Sequence, residues 1–397
     1  MSSDLDYNGL LRFVPALERW FYPQQRLAYD TSILPDGEDR LCLGVLVFGG
    51  YVDRFLKYCV PSLLAPGNVR SLFQPLIIIH TDAASVDALE RGVSELRKIS
   101  TVEIYLIPEE VLAIVPEHSA NKYWLLGAAL NLHMQQAKYR AHDYHMLMPD
   151  HVYGTGFFAN MMRLAKDGKK AIVQGGLSGK MEVVGPMVEE ANGAIGPADL
   201  NAAVLSNLHP QLYPFVMNWR ENFPISLLMI LVGEQEVHIA SPHMSIVYLS
   251  HELLMRMPLR LFNTTDAQLP FFIPEDVEPY VPGPDDGMVY VELSDIDKTT
   301  PWKDGCTIEQ FCARFWIQCY CIRGYERFFG LTTRHRFPAG YVPQIKPMTD
   351  REIEKIKYNV RSAVSASYEV IYPALPEVYR VDPHLRAMKM NESAEAA

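Results

Sequence analysis

The chain has 397 residues, of which 49% are hydrophobic and 21% are charged, and its formal net charge is −11. This composition is typical of a globular protein and excludes a chain that is disordered throughout. The excess of acidic residues, together with the lack of any basic run, argues against a nucleic acid as the main partner.

The apolar stretches of the sequence are too short to span a membrane. The longest cover 41–50 and 225–233, whereas a transmembrane helix needs ~20 apolar residues. The N-terminus carries acidic residues where a signal peptide would begin with basic ones. Six cysteines are spread through the chain without a CxxC pair, which favours reduced core cysteines. We therefore expect a cytoplasmic protein with no membrane span.

Apolar strands alternate with helical segments between residues 41 and 176. Strands are predicted over 41–50, 75–82, 102–108, 143–150 and 169–176, and helices over 53–64, 85–99, 121–137 and 157–166. This alternation predicts βαβ units around a parallel sheet that is covered on both faces. The sequence therefore predicts an α/β fold.

The pattern is less regular outside this segment. The elements predicted there are a helix within 7–21, a helix over 181–190, two short strands within 236–250, a strand over 288–293, and helices over 307–330 and 349–364. The last helix opens with a capping-box pattern, Thr349-x-x-Glu352. We expect a helical extension over 1–40, an α/β domain over 41–255, and an irregular region with C-terminal helices over 256–397.

Residues at the carboxyl ends of the strands decide the functional class, because α/β sheets bind their ligands there. The first strand is followed by Phe48-Gly49-Gly50-Tyr51, which is not the GxGxxG pattern of dinucleotide-binding proteins. The chain also lacks a P-loop, a GxSxG elbow and an HExxH motif. The NAD-dependent, ATPase, hydrolase and zinc-protease functions thereby lose their main support.

The most informative segment covers 146–173, in which an apolar strand runs into Pro149-Asp150. A carboxylate at the end of a central strand can point into the ligand crevice. There it can hold a divalent cation that neutralises a diphosphate. The alternative is that Asp150 is a helix N-cap or a turn residue, since Asp is common in both positions.

This order of elements, ending in a strand with an acid, resembles the GT-A fold of nucleotide-sugar-dependent glycosyltransferases. The likeness is greatest to bacterial enzymes of this class whose leading strand runs into a Gly-x-Tyr turn, here Gly49-Gly50-Tyr51. Thr81-Asp82 and Pro149-Asp150 complete it. The resemblance covers 41–250 and implies a GT-A-like, Rossmann-type, mainly parallel sheet flanked by helices. Residues 41–255 would then bind the nucleotide sugar and catalyse its reaction.

The acidic motif of the family is usually Asp-x-Asp or Asp-x-His, whereas this chain has Asp150-His151-Val152. Val152 cannot coordinate a metal. The resemblance implies Mg²⁺ or Mn²⁺ as a cofactor, with Asp150 and His151 as ligands and His243 as the late histidine that completes the shell. Two alternatives stay open: the enzyme works without a tightly held metal, and His243 is a structural histidine.

The resemblance further implies that the turns after the first two strands hold the nucleotide. The residues at these positions are Phe48, Gly49, Gly50, Tyr51, Thr81 and Asp82. Gly49 and Gly50 have no Cβ, so their amides can approach a ligand closely, and Asp82 can accept a hydrogen bond from a base or a ribose hydroxyl. An Asx or ST turn explains Thr81-Asp82 equally well. Lys122 is a candidate for binding a donor phosphate, or a solvated surface lysine.

Inverting glycosyl transfer needs a carboxylate base near the acceptor hydroxyl. We expect Asp150 and Asp295 to be catalytic, since Asp295 follows the strand predicted over 288–293. The other acids considered for the base are Glu182, Asp285, Asp286, Glu292 and Asp297. Inversion and retention both stay open.

The expected function is a glycosyltransferase that moves a sugar from a nucleoside-diphosphate donor to a glycan or protein acceptor. The aromatic residues after 209 would shape the acceptor side. One alternative is a non-catalytic GT-A-like binding or scaffold protein, which Val152 favours. Another is a different α/β transferase that uses a phosphorylated donor without a metal.

Overall fold

The computed structural model describes residues 15–21, 40–117, 121–217, 229–240, 244–257, 273–274, 276–296 and 332–358. Their contacts form two units. Unit 1 falls within Met1–Asn207 and Met244–Ile296, and unit 2 within Leu208–His243 and Asp297–Ala397. The domain ranges 1–40, 41–255 and 256–397 stay a prediction, because contacts within a chain do not test which segments fold independently.

A six-stranded sheet forms the centre of unit 1. Its strands are β1 (Arg40–Leu46), β2 (Phe73–Thr81), β3 (Thr101–Leu106), β4 (Asp143–Met146), β6 (Ala171–Gln174) and β10 (Ser245–Leu249). The order is β3-β2-β1-β4-β10-β6. The pairs β3-β2, β2-β1 and β1-β4 are parallel, and β10 is antiparallel to both β4 and β6. The fold is therefore mixed α/β with a mostly parallel, Rossmann-like sheet.

The described part of unit 1 also contains helices, several of which pack against this sheet. They are α1 (15–21), α2 (Tyr51–Arg54), α3 (Val60–Leu64), α4 (Val86–Gly92), α5 (Ser94–Arg97), α6 (Glu109–Leu112), α7 (Asn121–Tyr139), α8 (Phe157–Lys166), α9 (Met181–Glu190), α10 (Pro197–Ser206) and α11 (His251–Arg256). Leu43 and Val45 of β1 join a buried cluster with Phe55 and Phe157. Gly44, on the other face of β1, lies against His133 of α7. The continuous apolar sequence of β1 thus reflects burial on both faces. None of the described helices is long and apolar enough to cross a membrane.

A π-helical segment, Phe55–Cys59, lies between α2 and α3 without a break in the helical run. It buries Phe55, Tyr58 and Cys59. Segments of this kind occur as single turns inside α-helices and are frequent at functional sites.

A three-stranded sheet completes unit 1, with β5 (His151–Tyr153), β7 (Leu177–Lys180) and β11 (Tyr290–Ser294) in the order β5-β11-β7. β11 runs antiparallel to β5 and parallel to β7. The strand predicted over 143–150 is present but shorter. β4 ends at Met146, a turn follows, and β5 leaves the large sheet to pair with β11.

The described part of unit 2 contains an antiparallel sheet in the order β12-β9-β8. Its strands are β8 (Met229–Val232), β9 (Glu236–Ala240) and β12 (Thr332–Arg336). Helix α12 (350–358) begins with the predicted capping box. The Thr349 N–H donates to the Glu352 carboxylate at 2.8 Å, and the Glu352 N–H donates to Thr349 Oγ1 at 3.3 Å. The helix predicted over 307–330 lies outside the described residues.

Candidate functional site

The turns after β1 and β2 contact each other at the carboxyl edge of the large sheet. Gly49 has a φ of +57°, which glycine adopts without steric cost. Its N–H donates to Asp82 Oδ2 at 3.2 Å, while Asp82 Oδ1 accepts the Ser85 N–H at 2.7 Å. Asp82 therefore forms a local turn and also joins the two strand ends. A Cβ built on Gly49 or Gly50 would meet nothing within 4 Å, so the space beside both glycines is open.

The other residues predicted to hold the nucleotide differ in exposure. Tyr51 is 40% exposed, whereas Thr81 is fully buried, so its hydroxyl does not reach the surface. Phe48 is partly buried against the cluster formed by α1 and α7. The ammonium group of Lys122 lies 4.8 Å from the ring centroid of Tyr123, and no described contact links Lys122 to the two turns. The accessible candidates at the two turns are thus the two glycines, Tyr51 and Asp82.

Asp150 lies in the turn between β4 and β5, and it is 6% exposed. Its carbonyl oxygen accepts the Leu293 N–H at 2.9 Å, which ties this turn to β11. Burial raises the pKa of Cys59 and of Tyr153 well above their usual ranges, and the nearby charge of Asp150 adds to both shifts. Asp150 is a turn residue and not a helix N-cap, because α8 begins after Gly156.

The two residues after Asp150 pack into the smaller sheet of unit 1. The ring of His151 stacks on the ring of Tyr290, with centroids 4.9 Å apart and planes inclined by 26°. Val152 is fully buried and stands opposite Val291 in the ladder between β5 and β11. An apolar side chain at Val152 is therefore explained by core packing.

The predicted metal ligands Asp150, His151 and His243 stay a prediction. His243 lies outside the described residues. Across the ranges that the structure describes, no three His, Cys, Asp or Glu side chains form a group that could hold a metal ion. The described donors alone therefore do not fit a bound Mg²⁺ or Mn²⁺, and no step of the chemistry below depends on one.

Asp295, which follows β11, forms an ion pair with Arg54 of α2. The guanidinium carbon of Arg54 also lies 5.2 Å from the ring centroid of Tyr51, within the range of a cation–π contact. The next residue, Ile296, donates its N–H to the Glu182 carboxylate at 2.8 Å. Of the two candidate bases, Asp295 thus lies beside Arg54, and Glu182 bonds to the residue after Asp295.

Arg54 is the member of this group that no sequence motif indicates. The only local signal for it is a basic residue one turn after Gly49-Gly50-Tyr51. Its partner Asp295 is 241 residues away, so spacing along the chain does not reveal the pair. The side chains of Arg54 and Asp295 are 22% and 40% exposed, and a pair this accessible contributes little to stability.

The remaining candidate bases have structural partners or lie outside the described residues. Glu292 accepts a hydrogen bond from Ser294 Oγ. Asp286 accepts from the Gly283 N–H at 2.8 Å and the Tyr280 hydroxyl at 2.8 Å, and pairs with Arg163 at 3.0 Å. Burial raises the pKa of Asp286, but these hydrogen bonds outweigh it and lower the pKa below its usual range. Asp286 therefore stabilises its own loop.

These contacts define one surface, which we call the edge site. It consists of Gly49, Gly50, Tyr51, Arg54, Asp82 and Asp295. The surface offers open space beside two glycines, an exposed aromatic ring, one guanidinium group and two carboxylates. Because Arg54 is paired with Asp295, the open features of this surface are the space beside the two glycines and the exposed ring of Tyr51.

Comparisons with known proteins add little to this geometry. No family model matches the chain, and no curated protein matches its sequence. Among solved structures, the apo form of mouse xyloside xylosyltransferase 1 is similar at 11% sequence identity and a TM-score of 0.24. The match covers 38% of this chain and 58% of the mouse protein, so the chain spans a little over half of that structure.

Proposed function

We propose that the protein is a GT-A-type glycosyltransferase that moves a sugar from a nucleoside-diphosphate donor to a glycan or protein acceptor at the edge site. The observation that carries the proposal is the Asp82 carboxylate, which joins the turns after β1 and β2. The carboxyl edge of a Rossmann-like sheet is where α/β proteins bind nucleotides. The GT-A resemblance of residues 41–250 supplies the donor class.

The side chains of the edge site have separate roles in this proposal. Gly49 and Gly50 leave room for the donor, and Tyr51 offers a ring face to its base or its sugar. Arg54 is proposed to exchange its partner Asp295 for the diphosphate, since a guanidinium group binds phosphate oxygens through two parallel hydrogen bonds; the exchange frees the Asp295 carboxylate. Asp82 holds the two turns at a fixed separation.

Asp295 is the proposed base for an inverting transfer. Its carboxylate takes the proton of the acceptor hydroxyl as that oxygen bonds to the anomeric carbon of the sugar. The bond from the anomeric carbon to the diphosphate breaks, and the nucleoside diphosphate leaves with the electron pair. Asp150, held in the turn before β5, would act on the diphosphate only by helping to hold a divalent cation that neutralises it, because two anions repel each other.

A second candidate is a non-catalytic binding protein of the same fold. One observation favours it: Val152, in the position of the second acid of the family motif, is a fully buried core residue. A chain of this kind would bind the nucleotide sugar and leave it intact.

Calorimetric titration with a panel of nucleoside-diphosphate sugars, with and without Mn²⁺, tests binding. We expect at least one donor to bind, and Asp82→Ala to weaken it about tenfold, because the two turns lose a charged hydrogen-bond partner. Asp167→Ala is the matched control, an exposed acid of unit 1 at the end of α8. If no donor binds under either condition, the proposal is wrong.

Release of the nucleoside diphosphate separates the enzyme from the binding protein. An enzyme turns over the bound donor with an acceptor or, slowly, with water, and Asp295→Asn is expected to abolish this release while the donor still binds. Binding without any release across an acceptor panel supports the second candidate. Unchanged turnover in Asp150→Asn would remove Asp150 from the site.

A further inference from the structure

Helix α9 of unit 1 exposes apolar side chains that its packing in the fold does not explain. Val184 and Val188, one turn apart, are fully buried and form the inner face of the helix. Val183 and Met187, also one turn apart, are each 43% exposed. Pro186, three residues after Val183, is exposed as well. The helix therefore has a second apolar face, which is open to solvent.

Ile296 adds to this exposed face from the neighbouring strand. β11 runs parallel to β7, and Ser294 stands opposite Lys180, the residue before α9. The Ile296 N–H donates to the Glu182 carboxylate at 2.8 Å, which holds the end of β11 beside the first turn of α9. Ile296 is 48% exposed. These exposed apolar residues form a surface that we call the α9 patch, and they are Val183, Pro186, Met187 and Ile296.

The α9 patch adjoins the edge site at Asp295. Asp295 is the residue before Ile296, and it pairs with Arg54 of α2. α9 also packs closely on the helical run that begins with α2, because a Cβ built on Gly185 would lie 2.8 Å from the Tyr58 hydroxyl. A molecule that brings its hydroxyl group to Asp295 therefore has the α9 patch directly beside it.

The charges around the α9 patch restrict what covers it. α9 carries the carboxylates of Glu182, Glu189 and Glu190 and has no lysine or arginine. These carboxylates disfavour the anionic surface of a lipid bilayer, and the net charge of −11 disfavours a second copy of the chain. Grouped, exposed apolar residues mark sites of interaction. An uncharged apolar group is complementary to this surface.

We infer that the acceptor of the proposed transfer carries an uncharged apolar group, an alkyl or aryl aglycone, and that this group packs on the α9 patch. The inference rests on the proposed function, because the proposed base, Asp295, fixes where the acceptor lies. The apolar group gains affinity by leaving water. Since it lies outside the bonds that form and break, it lowers KM and leaves kcat unchanged.

Steady-state kinetics with paired acceptors test this inference. Each sugar of the acceptor panel is offered as its methyl glycoside and as its hexyl glycoside, with the hexyl compound kept below the concentration at which it forms micelles. The donor is the nucleotide sugar that calorimetry identifies. For the sugar that serves as acceptor, KM is expected to be at least about tenfold lower for the hexyl than for the methyl glycoside, with equal kcat.

Substitutions on α9 locate the apolar group. Val183→Ser combined with Met187→Ser is expected to raise KM for the hexyl glycoside about tenfold and to leave KM for the methyl glycoside unchanged. Met255→Ser is the matched control, because Met255 is a methionine of α11 that is 53% exposed. It is expected to change neither KM.

Methyl resonances of the wild-type protein give a readout that does not depend on turnover. Addition of the hexyl glycoside is expected to shift the Met187 methyl resonance and not that of Met255. The absence of this shift would overturn the inference, whether or not any sugar of the panel serves as acceptor.

The outcomes separate this inference from the proposed function. Release of the nucleoside diphosphate with equal KM values for the two glycosides would overturn the inference and leave the proposed function standing. No release from any bound donor would overturn both. Binding to vesicles of phosphatidylcholine and phosphatidylglycerol that Met187→Ser abolishes would assign the α9 patch to a lipid surface and would overturn the inference.

Discussion

At the scale of single residues, the turn after β1 contains two adjacent glycines with different backbone conformations. Gly49 has a φ of +57°, and Gly50 has a φ of −64°. Neither would bring a Cβ within 4 Å of another atom, so only the backbone conformation distinguishes them. Gly49→Ala is expected to destabilise unit 1 by about 1 kcal/mol, because an L-residue is strained at positive φ.

Gly50→Ala is the matched control for this prediction. Its φ suits alanine, so the substitution is expected to leave stability unchanged or to raise it by about 0.5 kcal/mol through the unfolded state. Chemical denaturation of both variants measures the difference. Equal effects of the two substitutions would contradict the left-handed conformation of Gly49.

At the scale of elements, β1 and α7 meet where Gly44 faces His133. A Cβ built on Gly44 would lie 2.4 Å from the ring of His133. His133 is itself fully buried, and its Nε2 is hydrogen-bonded to His80 Nδ1 at 2.7 Å. Gly44→Ala is therefore expected to cost about 1–3 kcal/mol by overpacking. In a His133→Ala background the same substitution is expected to cost less than half as much, because the space is then free.

A double-mutant cycle of the free energy of unfolding checks this coupling. Gly283→Ala serves as the control, since its Cβ would meet only Asp286 Oδ2, at 3.8 Å. Additive effects of Gly44→Ala and His133→Ala would show that the two elements do not approach each other as described.

Local sequence patterns predict the elements whose stability is local. Residues close together in the sequence determine three features that agree with the structure. These are the helix over 157–166, the break between β9 and β10, and the capping box at Thr349. The end of β4 at Met146 does not follow, because the apolar sequence continues through 147–149. β5 is separate because it pairs with β11, some 140 residues later in the chain.

The contacts of the edge site likewise differ in whether the sequence predicts them. The contact between Gly49 and Asp82 could be predicted, since adjacent parallel strands bring their carboxyl ends together. The burial of Thr81 and the pairing of Arg54 with Asp295 could not. Both depend on how β11 and the helices pack in the folded protein. The spacing of residues along the sequence does not reveal this packing.

At the scale of the whole molecule, buried neutral histidines make stability depend on pH. Burial lowers the pKa of His80 and of His145 to about 3 and holds the pKa of His133 well below its usual range. The same side chains titrate near pH ~6.5 when unfolded. Between these values the unfolded state binds more protons, so stability is present above pH ~6.5 and falls as the pH falls.

For each fully buried histidine, the free energy of unfolding is expected to fall by about 2 kcal/mol as the pH falls from 6.5 to 4.5. Carboxylates with lowered pKa, such as Glu103, lose their contribution only below their unfolded pKa of about 4.3, so this window isolates the histidines. Urea denaturation at several pH values measures the slope, and His145→Phe is expected to reduce it. A stability that is constant from pH 7 to 4.5 would contradict neutral burial.

The π-helical segment after β1 separates two faces of one helical run. A regular α-helix turns by about 100° per residue, so one additional residue rotates everything before it relative to everything after it. The buried side chains of Phe55 and Cys59 and the exposed ring of Tyr51 therefore owe their relative orientation to the number of residues in the run. A substitution preserves the rotation between the two ends of the run. Insertion or deletion of one residue would turn Tyr51 and Arg54 together to a different direction. The number of residues in this helix therefore determines which surface it presents.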